Sequence, residues 1–171
     1  MRTSLVLTVL GDDRPGLIES LSEVLEEHQG NWLDSRMVDL AGKFAGLLKV
    51  TVPKAQVDSL VKTLAALQND GLNILAQTVT EVDELEVAGL LQLEVLGPDA
   101  PGIIGHITRQ LSELKVNIQE LVSEQRQAPM SGEYLFFARM TLELPKGISN
   151  ESVQDALENL SDQLMVDLSF N

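Results

Sequence analysis

Two short stretches could do chemistry. LGDDRPG at residues 10–16 and LGPDAPG at residues 96–102 agree at five of seven positions, and Gly11 and Gly97 stand 86 residues apart. Each reads as the end of a strand turning sharply into a helix, whose first N–H groups have no acceptor within the helix. Such a terminus carries partial positive charge and outward-pointing donors, so it attracts a carboxylate. Asp13 and Asp99 either cap the helix or face an ammonium group. A free amino acid, carrying both charges, suits both groups. The same residues also make a plain turn and cap. Asn31 and Asn117 repeat at the same 86-residue offset. Each follows its helix by one short step and opens the next strand. That order predicts a position at an end of the unit open to a ligand near the turn, where the amide supplies a donor and an acceptor. A turn residue tolerating a left-handed backbone is the plainer account of each asparagine.

Other chemistries find little to work with. The chain has no cysteine and two histidines, His28 and His106, that form no paired ligand spacing, so no metal site is expected. His28 falls on an apolar helical stripe and is expected to be packed. His106 lies in the first turns of a helix and is expected at the surface, with ligand contact as the alternative. Neither a Gly-x-Ser-x-Gly elbow nor a Walker loop occurs, and the many carboxylates fall on solvent faces of helices. No catalytic residue and no cofactor are expected, and the chain reads as a non-enzyme. Its 26 acidic residues against 12 basic ones give a net charge of −14, which repels nucleic acid and anionic membranes alike. No apolar run approaches the ~20 residues that span a bilayer, and Met1 to Leu10 do not form a secretory signal. Cytoplasm is the expected compartment.

The elements that must position the two turns come in a repeated order. SLVLTVL (4–10) is a strand. GLIESLSEVLEEHQG puts Leu17, Ile18, Leu21, Val24, Leu25 and His28 at helical spacing, with Asp13 as a plausible N-cap and Gly30 as a left-handed stop. WLDSRMVDL and FAGLLKVTV form a hairpin around Ala41-Gly42-Lys43. AQVDSLVKTLAALQ (55–68) is a second helix, with Val57, Leu60, Val61, Leu64 and Leu67 on one stripe, and LNILAQTVTEV is a fourth strand. The second half repeats this with LLQLEVL (90–96), a helix at 101–115, NIQELVSEQ, YLFFARMTLELP, a helix at 151–164 and MVDLSF. Pro53 and Pro145 differ by 92 positions, so six residues are inserted in the second hairpin, around Arg126 to Gly132. The β-α-β-β-α-β order predicts an α+β fold of ferredoxin-like units, each an antiparallel sheet with two helices on one face. Expected boundaries are 1–82 and 90–171, joined by a charged linker at 83–89. Trp32 is expected in a core or interface. Of Phe136 and Phe137, successive in a strand, one must face away from the helices.

On these residues the chain resembles the ACT-domain family. DDRPGLIESLSEVLEEHQGNW and PDAPGIIGHITRQLSELKVNI both look like the opening of an ACT domain, and the likeness covers the chain as a tandem pair. The resemblance implies a small amino-acid ligand, glycine or similar, at an interface between ACT units near the turn and first helix. By position it points to Asp13, Arg14, Pro15, Gly16 and Asn31 in the first copy and Asp99, Ala100, Pro101, Gly102 and Asn117 in the second. The copies differ, since Ala100 replaces Arg14 and Pro98 replaces Asp12. Free-standing acidic pairs of this length are similar to a family of transcriptional regulators that antagonise a DNA-bound activator in response to glycine. That likeness implies control of a transcriptional activator by protein contact, without direct nucleic-acid binding, and a homo-oligomer. The alternative it leaves is an amino-acid-sensing regulatory subunit of a metabolic enzyme.

Overall fold

The computed structural model describes residues 1–79, 87–158 and 165–170. The chain divides into two compact units, Met1–Val82 and Asp83–Asn171. In the first, β1 (Arg2–Asp12) leads to α1 (Leu17–Glu27), the hairpin β2 (Asn31–Leu40) and β3 (Lys43–Pro53), α2 (Val57–Ala66) and β4 (Leu72–Thr78). All pairings are antiparallel, in the order β2-β3-β1-β4. Along β1 the side chains alternate: Leu5, Leu7 and Val9 are buried, whereas Thr8 and Leu10 face the other way. Leu17, Leu21, Val24 and Leu25 of α1 and Leu60 and Leu64 of α2 close over them, with Leu48, Val50 and Val52 of β3 completing one core. Fully burying a leucine contributes ~1.5–3 kcal/mol, so this layer is what holds the sheet flat against its helices. Gly11 sits where β1 meets the start of β4. A Cβ there would lie 2.8 Å from the Gly71 carbonyl oxygen.

The second unit repeats the plan with β5 (Val87–Pro98), α3 (Ile103–Glu113), β6 (Asn117–Gln127), β7 (Tyr134–Pro145), α4 (Asn150–Glu158) and β8 (Met165–Phe170). Its sheet order is β6-β7-β5-β8. Leu91, Leu93, Val95, Ile107, Leu111 and Val153 are among its core residues. Both hairpins carry a register shift at the same place, between Trp32 and Asp34 and between Ile118 and Glu120. The expected insertion is seen as strands each one residue longer than their counterparts and a wider connection between Gln127 and Tyr134. The linker expected at 83–89 lies, up to residue 86, outside the described residues, and β5 already begins at Val87. The helix expected at 151–164 is seen from Asn150 to Glu158, and its remaining residues also lie outside the described residues.

Several local expectations are corrected. Asp13 caps nothing: the position before α1 is Gly16, left-handed at φ 90°, and no side chain caps the helix. The left-handed stop after α1 is Gln29, φ 56°, one residue before Gly30. Gly30 serves a different need, since a Cβ there would lie 2.9 Å from the Leu25 carbonyl oxygen. Ile18, placed on the buried stripe by its spacing, is 49% exposed. His28 is buried, and both ring nitrogens are engaged. Nδ1 lies 2.8 Å from the Val24 carbonyl oxygen, and Nε2 lies 3.2 Å from Ser59 Oγ and 3.3 Å from Thr63 Oγ1. A carbonyl only accepts, so Nδ1 carries the proton and donates to Val24, leaving Nε2 to accept from a hydroxyl. His28 thus ties the end of α1 to α2.

Candidate functional site

The first corner is built where β1 ends and α1 begins. Pairing with the hairpin fixes its position: the Asp13 N–H donates to the Gly42 carbonyl across 2.9 Å, and the Asp12 carboxylate pairs with Lys43 Nζ. The neighbouring ammonium, by hydrogen bond and charge, holds the Asp12 carboxyl below its ordinary value. Ala41 and Gly42, both at positive φ, make the two-residue turn that brings Lys43 opposite Asp12. The Arg14 guanidinium donates through Nη2 to the carbonyl of Asp70, at the end of the 3-10 turn Leu67–Asp70. A cation at a helical C-terminus is favourable. It ties the corner to the start of β4, so Arg14 braces the loop from behind.

Asp13, Arg14, Pro15 and Gly16 line an open depression of about 310 Å³ together with Ile18, Glu19 and Phe44. A volume of ~300 Å³ lies at the small end of ligand sites. Its lining includes the start of α1, where no side chain caps the first N–H groups, together with Asp13 and Glu19, whose Oε2 lies 4.0 Å from where a Cβ on Gly16 would stand. A carboxylate can dock on those N–H groups while an ammonium is met by the acids. Four of the five residues expected in the first copy therefore come together. Glu19, Ile18 and Phe44 complete the depression unexpected. Phe44 arrives there as the register partner of Gly11, a pairing that no local sequence pattern announces.

The second corner has the same backbone and different chemistry. Gly102 is left-handed at φ 91° and α3 is likewise uncapped by any side chain. The Asp99 N–H donates to the Tyr134 carbonyl across 3.2 Å. Here, however, the Asp99 carboxylate accepts a 2.6 Å hydrogen bond from Gln125 Nε2. Ala100 and Pro101 bring no polar side chain, and His106 is exposed one turn into α3.

Asn31 and Asn117 do not join these corners within their own units. Asn31 pairs with Thr51, which pairs with Ser4 at the opening of β1, whereas Asp12 closes that strand. Eight strand residues separate the two, roughly 25 Å at 3.3 Å per residue. The cause is simple: α1 runs back along the sheet, so the chain leaves it at the opposite end. Asn117 is likewise level with Glu143 and Leu90, far along β5 from Pro98. Its amide donates to Glu143 Oε2 at 2.7 Å. Among the described residues no group of three or more His, Cys, Asp or Glu could hold a metal ion, and no helix is long and apolar enough to cross a membrane.

Comparison with known proteins agrees with this geometry. Residues 3–76 match the ACT domain family. The glycine cleavage system transcriptional repressor of Escherichia coli is 23% identical over 169 residues, covering 98% of this chain and 88% of the repressor. A UPF0237 protein of Methanopyrus kandleri is 32% identical over 83 residues, 48% of this chain and 91% of that protein. The crystal structure of an unknown protein from Galdieria sulphuraria superposes with a TM-score of 0.84 at 28% identity, covering 100% of this chain and 99% of that one. The first unit is matched directly as an ACT domain, and the second repeats its strand order, helix placement and bulge.

Proposed function

We propose that this chain is an amino-acid-responsive regulator of the glycine cleavage repressor kind. It binds glycine or a similarly small amino acid at the first corner and acts by contact with a transcriptional activator, in the cytoplasm, without catalysis and without touching DNA. The observation that carries the reading is the pairing of an uncapped α1 N-terminus with the unengaged Asp13 carboxylate in one open depression. Oriented N–H donors favour the ligand carboxylate, and Asp13 and Glu19 favour its ammonium. Gly16 adds no side chain of its own at the helix end, and the Glu19 carboxylate, with Oε2 4.0 Å from where a Cβ on Gly16 would stand, lies beside it. The net charge of −14 favours a protein over nucleic acid as the partner. Likeness over nearly the full length to a protein named as a transcriptional repressor supports the same reading. Ligand would act by favouring one arrangement of the protein, and only its difference in affinity between arrangements can do so.

The test is calorimetry of the folded chain with glycine, serine and alanine, followed by the Asp13→Asn variant. Saturable heat with a small amino acid, weakened at least about tenfold in the variant, is expected for loss of a charge-assisted hydrogen bond. Absence of heat across the set defeats the sensing role. Binding of a promoter fragment that weakens steeply with salt defeats the protein-contact role.

A further inference from the structure

Ser59 stands exposed in the first turn of α2, and its hydroxyl meets a buried base. His28 Nε2 lies 3.2 Å from Ser59 Oγ, while Nδ1 lies 2.8 Å from the Val24 carbonyl oxygen. The direction of each hydrogen bond follows from what the partners can offer. Val24 presents only an oxygen, so Nδ1 carries the ring proton and Nε2 is a bare acceptor. Thr63 Oγ1 lies 3.3 Å from Nε2 but donates to the Ser59 carbonyl at 3.1 Å. Its one hydrogen is thus engaged, and the hydrogen that reaches Nε2 comes from Ser59. A hydroxyl, a ring nitrogen able to take its proton, and a third group that fixes the tautomer are the parts of an activated nucleophile. Packing does not require them. By the 86-residue offset Leu114 takes the place of His28 in the second unit, and by the 92-residue offset that follows the inserted hairpin Glu151 takes the place of Ser59. That unit closes its helices over its sheet without either residue. Ser22 shows the ordinary arrangement: also exposed on a helix, it donates to the Glu19 carbonyl at 2.8 Å. A carbonyl holds a hydrogen bond but does not keep the proton, whereas imidazole does.

We infer that Ser59 is a modification site, an acceptor of one acyl group from an activated ester, with His28 as its base. As Ser59 Oγ bonds to the acyl carbon, its proton passes to His28 Nε2. The C–O bond between the acyl carbon and the leaving oxygen then breaks, and that oxygen takes the proton from Nε2. The products are an ester on Ser59, a neutral His28 and a free alcohol or phenol, so atoms and charge balance without any further reactant. His28 is only 7% exposed, so the ester approaches from the solvent side of Ser59 and the core stays closed. Once acylated, Ser59 has no hydrogen to give Nε2, and the same event removes one of the bonds that tie α1 to α2. The inference goes beyond amino-acid sensing and stands whether or not the first corner binds a ligand.

The test uses the full chain and p-nitrophenyl acetate. Release of p-nitrophenolate is followed by absorbance, and the acetylated residues are located by peptide mass spectrometry. Acetylation of Ser59 is expected to run at least about a hundredfold faster than that of Ser22, the scale of general-base assistance, and to appear as an early burst of p-nitrophenolate. Ser59→Ala, at an exposed position, is expected to abolish the burst. His28→Asn, whose amide can still donate to the Val24 carbonyl, is expected to slow acetylation of Ser59 at least about a hundredfold with an unchanged circular dichroism spectrum. If that variant fails to fold, the comparison of Ser59 with Ser22 in the parent and the loss of the burst in Ser59→Ala decide the matter. Acetylation of Ser59 no faster than that of Ser22 overturns the inference, as does a rate at Ser59 that a folded His28→Asn leaves unchanged. A burst that survives Ser59→Ala puts the acyl group on another residue and overturns it as well.

Discussion

Gln125 donates its side-chain amide to the Asp99 carboxylate across 2.6 Å, and the matching ladder position in the first unit is Asp39, opposite Phe44 as Gln125 is opposite Phe136. An ionised carboxylate has no hydrogen to offer Asp13. The side chain at this place in the second strand of each unit thus separates an aspartate engaged within the corner, Asp99, from one that is not, Asp13. The two turns, so alike in sequence, are unequal for a reason that lies outside them.

That relationship makes a direct prediction. Asp39→Gln places a donor where Gln125 stands and is expected to engage Asp13 in the same way. Affinity for glycine, measured by calorimetry, should fall at least about tenfold, the scale of one charge-assisted hydrogen bond, while thermal stability holds or rises. Unchanged affinity would mean that the Asp13 carboxylate takes no part in binding.

Gly11 supplies a second prediction, on stability. Gly11→Ala drives a Cβ to 2.8 Å from the Gly71 carbonyl oxygen and 3.1 Å from Leu72 Cδ1, and the first obstacle is backbone that cannot rotate aside. The variant is expected to lose about 1–3 kcal/mol, the usual cost of forcing volume into a packed site. Urea denaturation followed by circular dichroism measures it. Gly89→Ala, where an added Cβ meets nothing within 4 Å, is the control and should stay within about 0.5 kcal/mol of the parent.

The order of elements was legible because the periodicities that define it are local. Alternation in SLVLTVL marks β1, and the 3.6-residue spacing from Leu17 to Leu25 marks α1, without knowledge of any partner. The duplicated turn then supplied the plan of the second half. What escaped the sequence depends on partners far along the chain. That Asn31 lies at the wrong end of the sheet follows only once α1 is known to run back along β1. That Gln125 reaches Asp99 depends on a hairpin register displaced by a bulge and lengthened by an insertion. Gly30 shows the same limit at short range: glycine after a helix suggests a left-handed stop, yet Gln29 takes that conformation and Gly30 is required by the nearness of Leu25.

His28 is the one buried polar or charged residue among those described; Nδ1 holds the end of α1 through Val24, and Nε2 reaches Ser59 and Thr63 of α2. Removing the ring leaves a cavity and strips the Val24 carbonyl and the Ser59 hydroxyl of a partner. His28→Ala is expected to destabilise the chain by about 2–4 kcal/mol, cavity and lost hydrogen bonds together, read from the midpoint of chemical denaturation. His28→Gln, which can keep one of the contacts, should lose less. His106→Ala, at an exposed position, should lose little. Equal losses for His28→Ala and His106→Ala would refute the role given to the buried network.

The ion pair between Asp12 and Lys43 predicts a pH dependence with a fixed sign. The hydrogen bond and charge of Lys43 lower the folded pKa of Asp12 below its ordinary value of 3.8, so the folded state holds the proton less tightly than the unfolded chain does. The contribution is then fully present above the ordinary value and is lost as pH falls through the lowered one. Both partners are exposed, so the effect is small and shrinks with added salt. In a carboxyl-detected NMR titration, Asp12 is expected to titrate below pH 3.8 in the parent and to move up toward that value in Lys43→Met. The corresponding position in the second unit, Pro98 opposite Leu135, has no such pair. A titration of Asp12 that does not respond to Lys43→Met would show that the lysine is not what holds the hairpin turn against the end of β1.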